Sequence, residues 1–179
     1  MLSANKKWPW CFVALGLLLV VNAQASSLCA GSENSAIAAS TPTADFSDNG
    51  DGTVTHHKTG LIWQRCSLGQ SWDGSDCIGT ATTFTWELAL AAAAQHSLGG
   101  FSDWRLPNKN ELASIVEYRC WSPAINNQQF PNTPSAWYWS SSPFSNFSGL
   151  AWYVSFSDGF VYNEYEYGDF HVRLVRAGK

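Results

Sequence analysis

The chain has 179 residues, a net charge of −4 and charged side chains at only 13% of its positions. Such a length fits one domain that buries a proper core without depending on staples. Ten cations against fourteen acids argue against a nucleic-acid partner and against a strongly basic, anion-binding surface.

Lys6 and Lys7 precede the apolar run WPWCFVALGLLLVV, and Ala23 and Ala25 then supply an Ala-x-Ala pattern. This predicts a signal peptide over residues 1–25, cut between Ala25 and Ser26, and a secreted or periplasmic protein. The unbroken apolar run at 11–21 is too short to cross about 30 Å of hydrocarbon at about 1.5 Å per residue. No later segment is long and apolar enough, so no membrane span is expected after cleavage. Leu28 precedes Cys29, where a lipid attachment site wants a small residue. Loss of Lys6 and Lys7 leaves eight of the ten cations against all fourteen acids, a net charge of −6.

Four cysteines lie beyond that segment: Cys29, Cys66, Cys77 and Cys120. An even number in an exported chain implies two disulfides in one of three connectivities. Cys66 and Cys77 bracket the loop SLGQSWDGSD and form the natural local pair, which leaves Cys29 with Cys120. The spacings lack a Cys-x-x-Cys knuckle and no histidine pair stands nearby, so no metal site is expected.

Residues 26–44 are rich in Ser, Ala and Thr and read as an extended lead-in tethered by Cys29; residues 45–179 read as the domain. The Gly and Asn cluster at 48–52 and the KTG at 58–60 are turn chemistry, and predict a meander that ends in a strand over 61–65. Leu61 and Trp63 then share one face, Ile62 and Gln64 the other. Asp45, Ser47, Asn49 and Gly50 fit half a calcium loop, but His56 stands where the closing glutamate belongs, so a hairpin turn is expected. A helix follows in TFTWELALAAAAQHSLGG, with Thr85 as N-cap, Glu87 in the first turn and Gly99-Gly100 as the stop. Trp86, Leu90 and Ala94 are expected to face the core, and His96 to cap the helix end or complement its dipole.

In FSDWRLPNKNELASIV, Pro107 biases Leu106 away from helix. Asn108 and Glu111 form an N-x-x-E capping arrangement that starts a second helix, predicted to run to about Cys120. Leu112, Ile115, Val116 and Arg119 share one face of it. Asp103, Trp104, Arg105, Pro107, Asn108 and Glu111 therefore read as a fold-determining joint. After a loop over 120–137, the chain reads as strand again. WYWSSSP, LAWYVSFSD, FVYNEYEY and FHVRLVRA are the segments, with Trp152, Val154 and Phe156 alternating against Tyr153, Ser155 and Ser157. The order meander, helix, helix, meander is that of an α+β domain.

Taken in order, DGTVTHHKTGLIWQRC, TWELALAAAA, DWRLPNKNELASIV, YWSSS, AWYVSFSDG and VRLVR resemble the Lcl C-terminal domain family. These bacterial exported domains are named after the end of a collagen-like adhesin, and the resemblance covers about residues 45–177. It implies a C-type-lectin-like, formylglycine-generating-enzyme-like fold, with two helices packed on twisted antiparallel sheets and the termini close together. The founding adhesin's domain is associated with binding sulfated glycans as a trimer. This chain departs from that pattern in its charge and in lacking collagen triplets. It also lacks the cysteines that many members carry in the first helix and at the position of Leu174.

No enzymatic constellation emerges. The histidines at 56, 57, 96 and 171 are scattered, and His56 and His57, adjacent on a strand, point to opposite faces. No Gly-x-Ser-x-Gly or His-Glu-x-x-His stands in the chain, and nothing marks a base for Ser140, Ser141 or Ser142. A formylglycine-generating activity needs reactive cysteines, which the disulfides use; no cofactor is expected. Asp158, Asn163, Glu164, Glu166 and Asp169 lack the signature of a calcium-dependent lectin and read as a solvated turn and strand. Among the aromatics, Trp63, Trp86, Trp104, Trp139 and Trp152 read as core. Trp72, Trp121 and Trp137 fall in loops, and Tyr162, Tyr165 and Tyr167 decorate the second meander. Flat exposed rings beside amides and hydroxyls suit sugars. The expected function is a non-catalytic binding or adhesion module recognising glycan through these six residues, or else a surface protein through the same patch.

Overall fold

The computed structural model describes residues 27–178, so the expected signal peptide over 1–25 and its cut at Ala25/Ser26 lie outside the described residues. Its strands begin with β1 (Ser32–Glu33), β2 (Phe46–Asp48), β3 (Thr53–His56), β4 (Leu61–Gln64), β5 (Ser71–Trp72), β6 (Cys77–Ile78) and β7 (Thr83–Phe84). The helices α1 (Trp86–Ala94) and α2 (Lys109–Ala113) come next. Then follow β8 (Cys120–Trp121), β9 (Trp137–Pro143), β10 (Leu150–Ser155), β11 (Val161–Tyr165), β12 (Phe170–His171) and β13 (Val175–Ala177). The architecture is α+β, mostly sheet, with two α-helices among the described residues.

The turn-rich first segment forms the expected meander, with Phe46 opposite His56 and Thr55 opposite Ile62, and β13 completes this four-stranded sheet beside β4. The second sheet runs β11-β10-β9-β12-β7. Its strands pair antiparallel except β9 and β12, which are parallel. The chain passes from β12 in one sheet to β13 in the other, and Val172, Arg173 and Leu174 on that crossing are fully buried. Both helices pack on β9. Successive strand residues point to opposite faces: Tyr138 joins the cluster with Leu112, Trp63 and Phe130. Its neighbour Trp139 joins the cluster with Ala89, Ala93 and Trp104. The sheet is thus covered by α2 on one face and α1 on the other. Burial on two faces is why Tyr153 and Ser155 are as enclosed as Val154 and Phe156, against the alternation expected for a half-solvated strand.

Several local expectations are corrected. On α1 the buried residues are Ala89 and Ala93, whereas Trp86 and Leu90 are half-buried and Ala94 is exposed; small side chains let the helix approach the sheet. Thr85 occupies the N-cap position without a side-chain cap bond. The helix ends at Ala94, with Gln95 as its C-cap. Gly99 and Gly100, with φ of 62° and 78°, instead turn a tight hairpin in which Leu98 bridges Phe101, the left-handed pair that only glycine adopts readily. His96 caps nothing: its Nε2 is buried without a partner and its ring stands edge-on to Trp104 at 6.3 Å. The second helix is only Lys109–Ala113. Leu112, Ile115 and Val116 are buried as expected, but Arg119 lies beyond the helix and binds Glu33 at 2.6 Å. The segment after Cys120 accounts for the early stop, because Ala124, Ile125, Asn126 and Phe130 enter the core rather than lying on the surface. Of the tryptophans expected in the core, Trp63, Trp104 and Trp139 are there, while Trp86 and Trp152 are half-buried.

The two disulfides join Cys29 to Cys120 and Cys66 to Cys77. The lead-in is tied down further by the fully buried Glu117. Its Oε2 accepts from Thr41 N–H at 2.7 Å and the Thr41 hydroxyl at 3.0 Å, and its Oε1 accepts from Ser40 N–H and Arg119 N–H at 2.9 Å each. A buried carboxylate survives because its lone pairs are met by donors.

The DWRLPNKNE stretch leads from the Leu98–Phe101 hairpin into α2. Trp104 is buried and donates from Nε1 to the Leu98 carbonyl at 3.1 Å. Asp103 receives two bonds from Arg176, at 2.7 and 3.1 Å. The Pro107 carbonyl accepts from Ser141 N–H at 2.7 Å. Asn108 and Glu111 close a reciprocal capping box at the start of α2.

Candidate functional site

Trp137 and Trp139 stand two residues apart on β9 and so share a face. Trp139 lies in the cluster under α1, stacked on Phe170 at 4.2 Å. Trp137 sits beyond the cover of this nine-residue helix and is 45% exposed. Its ring lies 5.3 Å from Tyr153 and 5.1 Å from Phe170. Tyr153 is opposite Tyr162 in the ladder, with ring centroids 5.8 Å apart, and Tyr162 is 6.1 Å from Phe160. A row of rings from Phe170 through Trp137, Tyr153 and Tyr162 to Phe160 therefore crosses four strands. Trp137, Tyr162 and Phe160 are exposed, Phe170 and Tyr153 are buried, and neighbouring strands hold each ring at a set spacing.

Beside this row opens a groove of about 240 Å³, with Trp137 and Phe170 on one side and Thr83, Ser157, Asp169 and His171 around it. His171 Nδ1 donates to the Thr82 carbonyl at 3.3 Å, and burial lowers its pKa below the usual histidine value of 6.5. The hydrogen bond to Thr82 fixes Nδ1 as the donor and leaves Nε2 as the ring's other polar atom. Burial raises the phenol of Tyr153 above its ordinary 10.0, and the nearby charge of Glu164 raises it further. Tyr153 remains a hydrogen-bond donor at neutral pH. An apolar platform with a few convergent polar groups is the usual make-up of a small-ligand site.

Of the six aromatics expected to contact ligand, the structure brings Trp137 and Tyr162 into this row. Tyr165 and Tyr167 are exposed and stack on each other at 5.2 Å beside the far end of β11. The other two stand apart. Trp72 lies on the β5–β6 ribbon with the Arg65 guanidinium 4.2 Å from its ring centroid, and Trp121 lies on β8 next to the Cys29–Cys120 bridge. Reading of the sequence missed Tyr153, Phe160 and Phe170. The available signal was the spacing of Trp137 and Trp139, since a core tryptophan two residues away predicts that the face continues. Among the described residues no three His, Cys, Asp or Glu side chains converge to hold a metal ion.

Comparison with known proteins shows a match to the family model described as the Lcl C-terminal domain, over residues 52–176. No curated protein matches the chain.

Proposed function

The chain belongs to the Lcl C-terminal domain family, and on that premise we propose that it is an exported, non-catalytic binding or adhesion module whose aromatic face recognises glycan. Export is supported by the two disulfides, which persist in oxidising compartments, and no helix among the described residues is long and apolar enough to cross a membrane. The domain plan we infer is a signal peptide over 1–25, a lead-in over 26–44 and the binding domain over 45–179, secreted or held in the periplasm. A C-type-lectin-like fold is supported by the succession of meander, two helices and second meander. Against a formylglycine-generating activity, all four cysteines among the described residues are bridged, which leaves no thiolate there to react.

The observation that carries the glycan reading is Trp137, half-exposed between Tyr153 and Phe170 at the mouth of the groove. A sugar ring lays its CH face on such an indole while hydroxyls reach Asp169, Thr83 and Ser157. A glycan array probed with the exported protein tests it: Trp137→Ala abolishes the signal with the fold intact, and Trp121→Ala leaves it unchanged. A signal that survives Trp137→Ala moves the site elsewhere. A protein-interaction or surface-assembly role for the same patch is favoured by one feature, the edge position of β11, where a partner strand adds readily.

A further inference from the structure

The aromatic row lies beside a segment whose charges are all of one sign. Between Ser157 and Phe170 the sequence places Asp158, Glu164, Glu166 and Asp169 among Phe160, Tyr162, Tyr165 and Tyr167, with no lysine, arginine or histidine. The ladder puts Tyr162 opposite Tyr153 and Glu164 opposite Ala151, so Glu164 shares the face of the two tyrosines one step along. Asp169 lines the groove beside Trp137. Asp158 stands in the turn that leads into Phe160, whose N–H it accepts at 3.1 Å.

These carboxylates meet no cation among the described residues, because the cations are engaged elsewhere. Lys58 binds Asp45, Arg65 binds Asp48, Arg105 binds Glu111, Arg119 binds Glu33 and Arg176 binds Asp103. Lys109 lies over the Trp152 ring at 4.2 Å, and Arg173 is buried. The face therefore couples ring quadrupoles, negative above and below each plane, to a field of uncompensated carboxylates. Both attract the same thing, a cation bearing an apolar skeleton. A sulfated or uronic-acid polymer meets repulsion there.

We propose that this face selects glycans carrying free amino groups, the ammonium of a hexosamine lying on the exposed rings of Trp137 and Tyr162 with Glu164, Asp158 and Asp169 around it. This deepens the glycan reading of the same site and rests on it. The N-acetylated hexosamine is the informative comparison, because it keeps the ring that stacks and loses the charge.

The test is titration of the full chain, exported and purified, with oligomers of glucosamine, with the matching oligomers of N-acetylglucosamine and with heparin, at low and high salt. Glucosamine oligomers bind at least about tenfold more tightly than the N-acetylated ones, and the preference shrinks with salt. The double change Glu164→Gln with Asp158→Asn, which keeps the oxygen that accepts the Phe160 N–H, brings the two affinities together without weakening the N-acetylated oligomer, and Trp137→Ala weakens both. If N-acetylated oligomers or heparin bind as tightly as glucosamine oligomers and Trp137→Ala still abolishes binding, the charge selectivity is overturned while the glycan reading stands. If none of the glycans binds, both are overturned.

Discussion

Arg105 and Glu111 meet through two parallel hydrogen bonds, Nη1 to Oε2 at 2.7 Å and Nη2 to Oε1 at 2.8 Å, and the same Oε2 accepts the Asn108 N–H at 2.8 Å. One carboxylate thus closes the capping box of α2 and holds the extended segment that precedes it. The guanidinium is about half exposed, so solvent screening leaves the ion pair worth only a few tenths of a kcal/mol; the cap carries the larger share. Glu111→Ala is expected to lower unfolding free energy by about 1–2 kcal/mol in urea titration. Ligand binding by the remaining folded protein stays unchanged.

Acid sensitivity follows from the same contacts. Hydrogen bonding from Arg105 holds Glu111 below its usual 4.5, and Arg176 holds Asp103 below 3.8. A depressed carboxylate stabilises the fold fully above its unfolded value, and that contribution is lost as pH falls through the lower folded value. Burial also keeps His56 below 6.5, so the unfolded chain takes up its proton first and stability starts to decline from that pH downward. Thermal melts from about pH 7 to about pH 2 should show a shallow loss below about pH 6.5 and a steeper one in the carboxylate range. In Glu111→Gln the steeper step is expected to shrink.

Arg173 is a buried cation that makes no ion pair with a carboxylate among the described residues. Its guanidinium donates to the carbonyls of Gln64 and Arg65, to Ser67 Oγ and, at 2.7 Å, to Thr133 Oγ1, and lies 4.8 Å from the Phe130 ring centroid. Burial pushes its pKa down to about 10, which still leaves it charged at neutral pH. Arg173→Met leaves those acceptors unmet inside the core and is expected to cost about 3 kcal/mol or more, read by chemical denaturation. An unchanged midpoint contradicts a stabilising role for these hydrogen bonds on the crossing between the two sheets.

The bridges differ in what they constrain. Cys29 and Cys120 are 91 residues apart and Cys66 and Cys77 only 11. In the chain-entropy description, loss of the first costs about 4–5 kcal/mol and of the second about 3. Paired Cys→Ala variants should therefore melt in that order, the Cys29/Cys120 pair lower.

What was legible in the residues was local. Asn108 and Glu111 announce a helix start because a capping box needs only a spacing of three, and the Gly and Asn cluster at 48–52 announces a hairpin for the same reason. The extent of α2 was not legible, because it is set by Ile125 and Phe130 entering the core from a segment that reads as loop. The stop of α1 misled in the same way, since Gly99-Gly100 serves a hairpin four residues beyond Gln95. The aromatic row is non-local altogether. Trp137, Tyr153, Tyr162 and Phe170 come from four strands, and only their register decides that Trp137 joins them while Trp72 and Trp121 do not.

The central claim is that ligand lies on Trp137, and side-chain NMR of the indole N–H signals tests it most directly. During titration with the best-binding glycan, the account predicts that the Trp137 signal moves and saturates with the binding curve while those of Trp72 and Trp121 stay in place. Movement at Trp72 or Trp121 with Trp137 unmoved contradicts it.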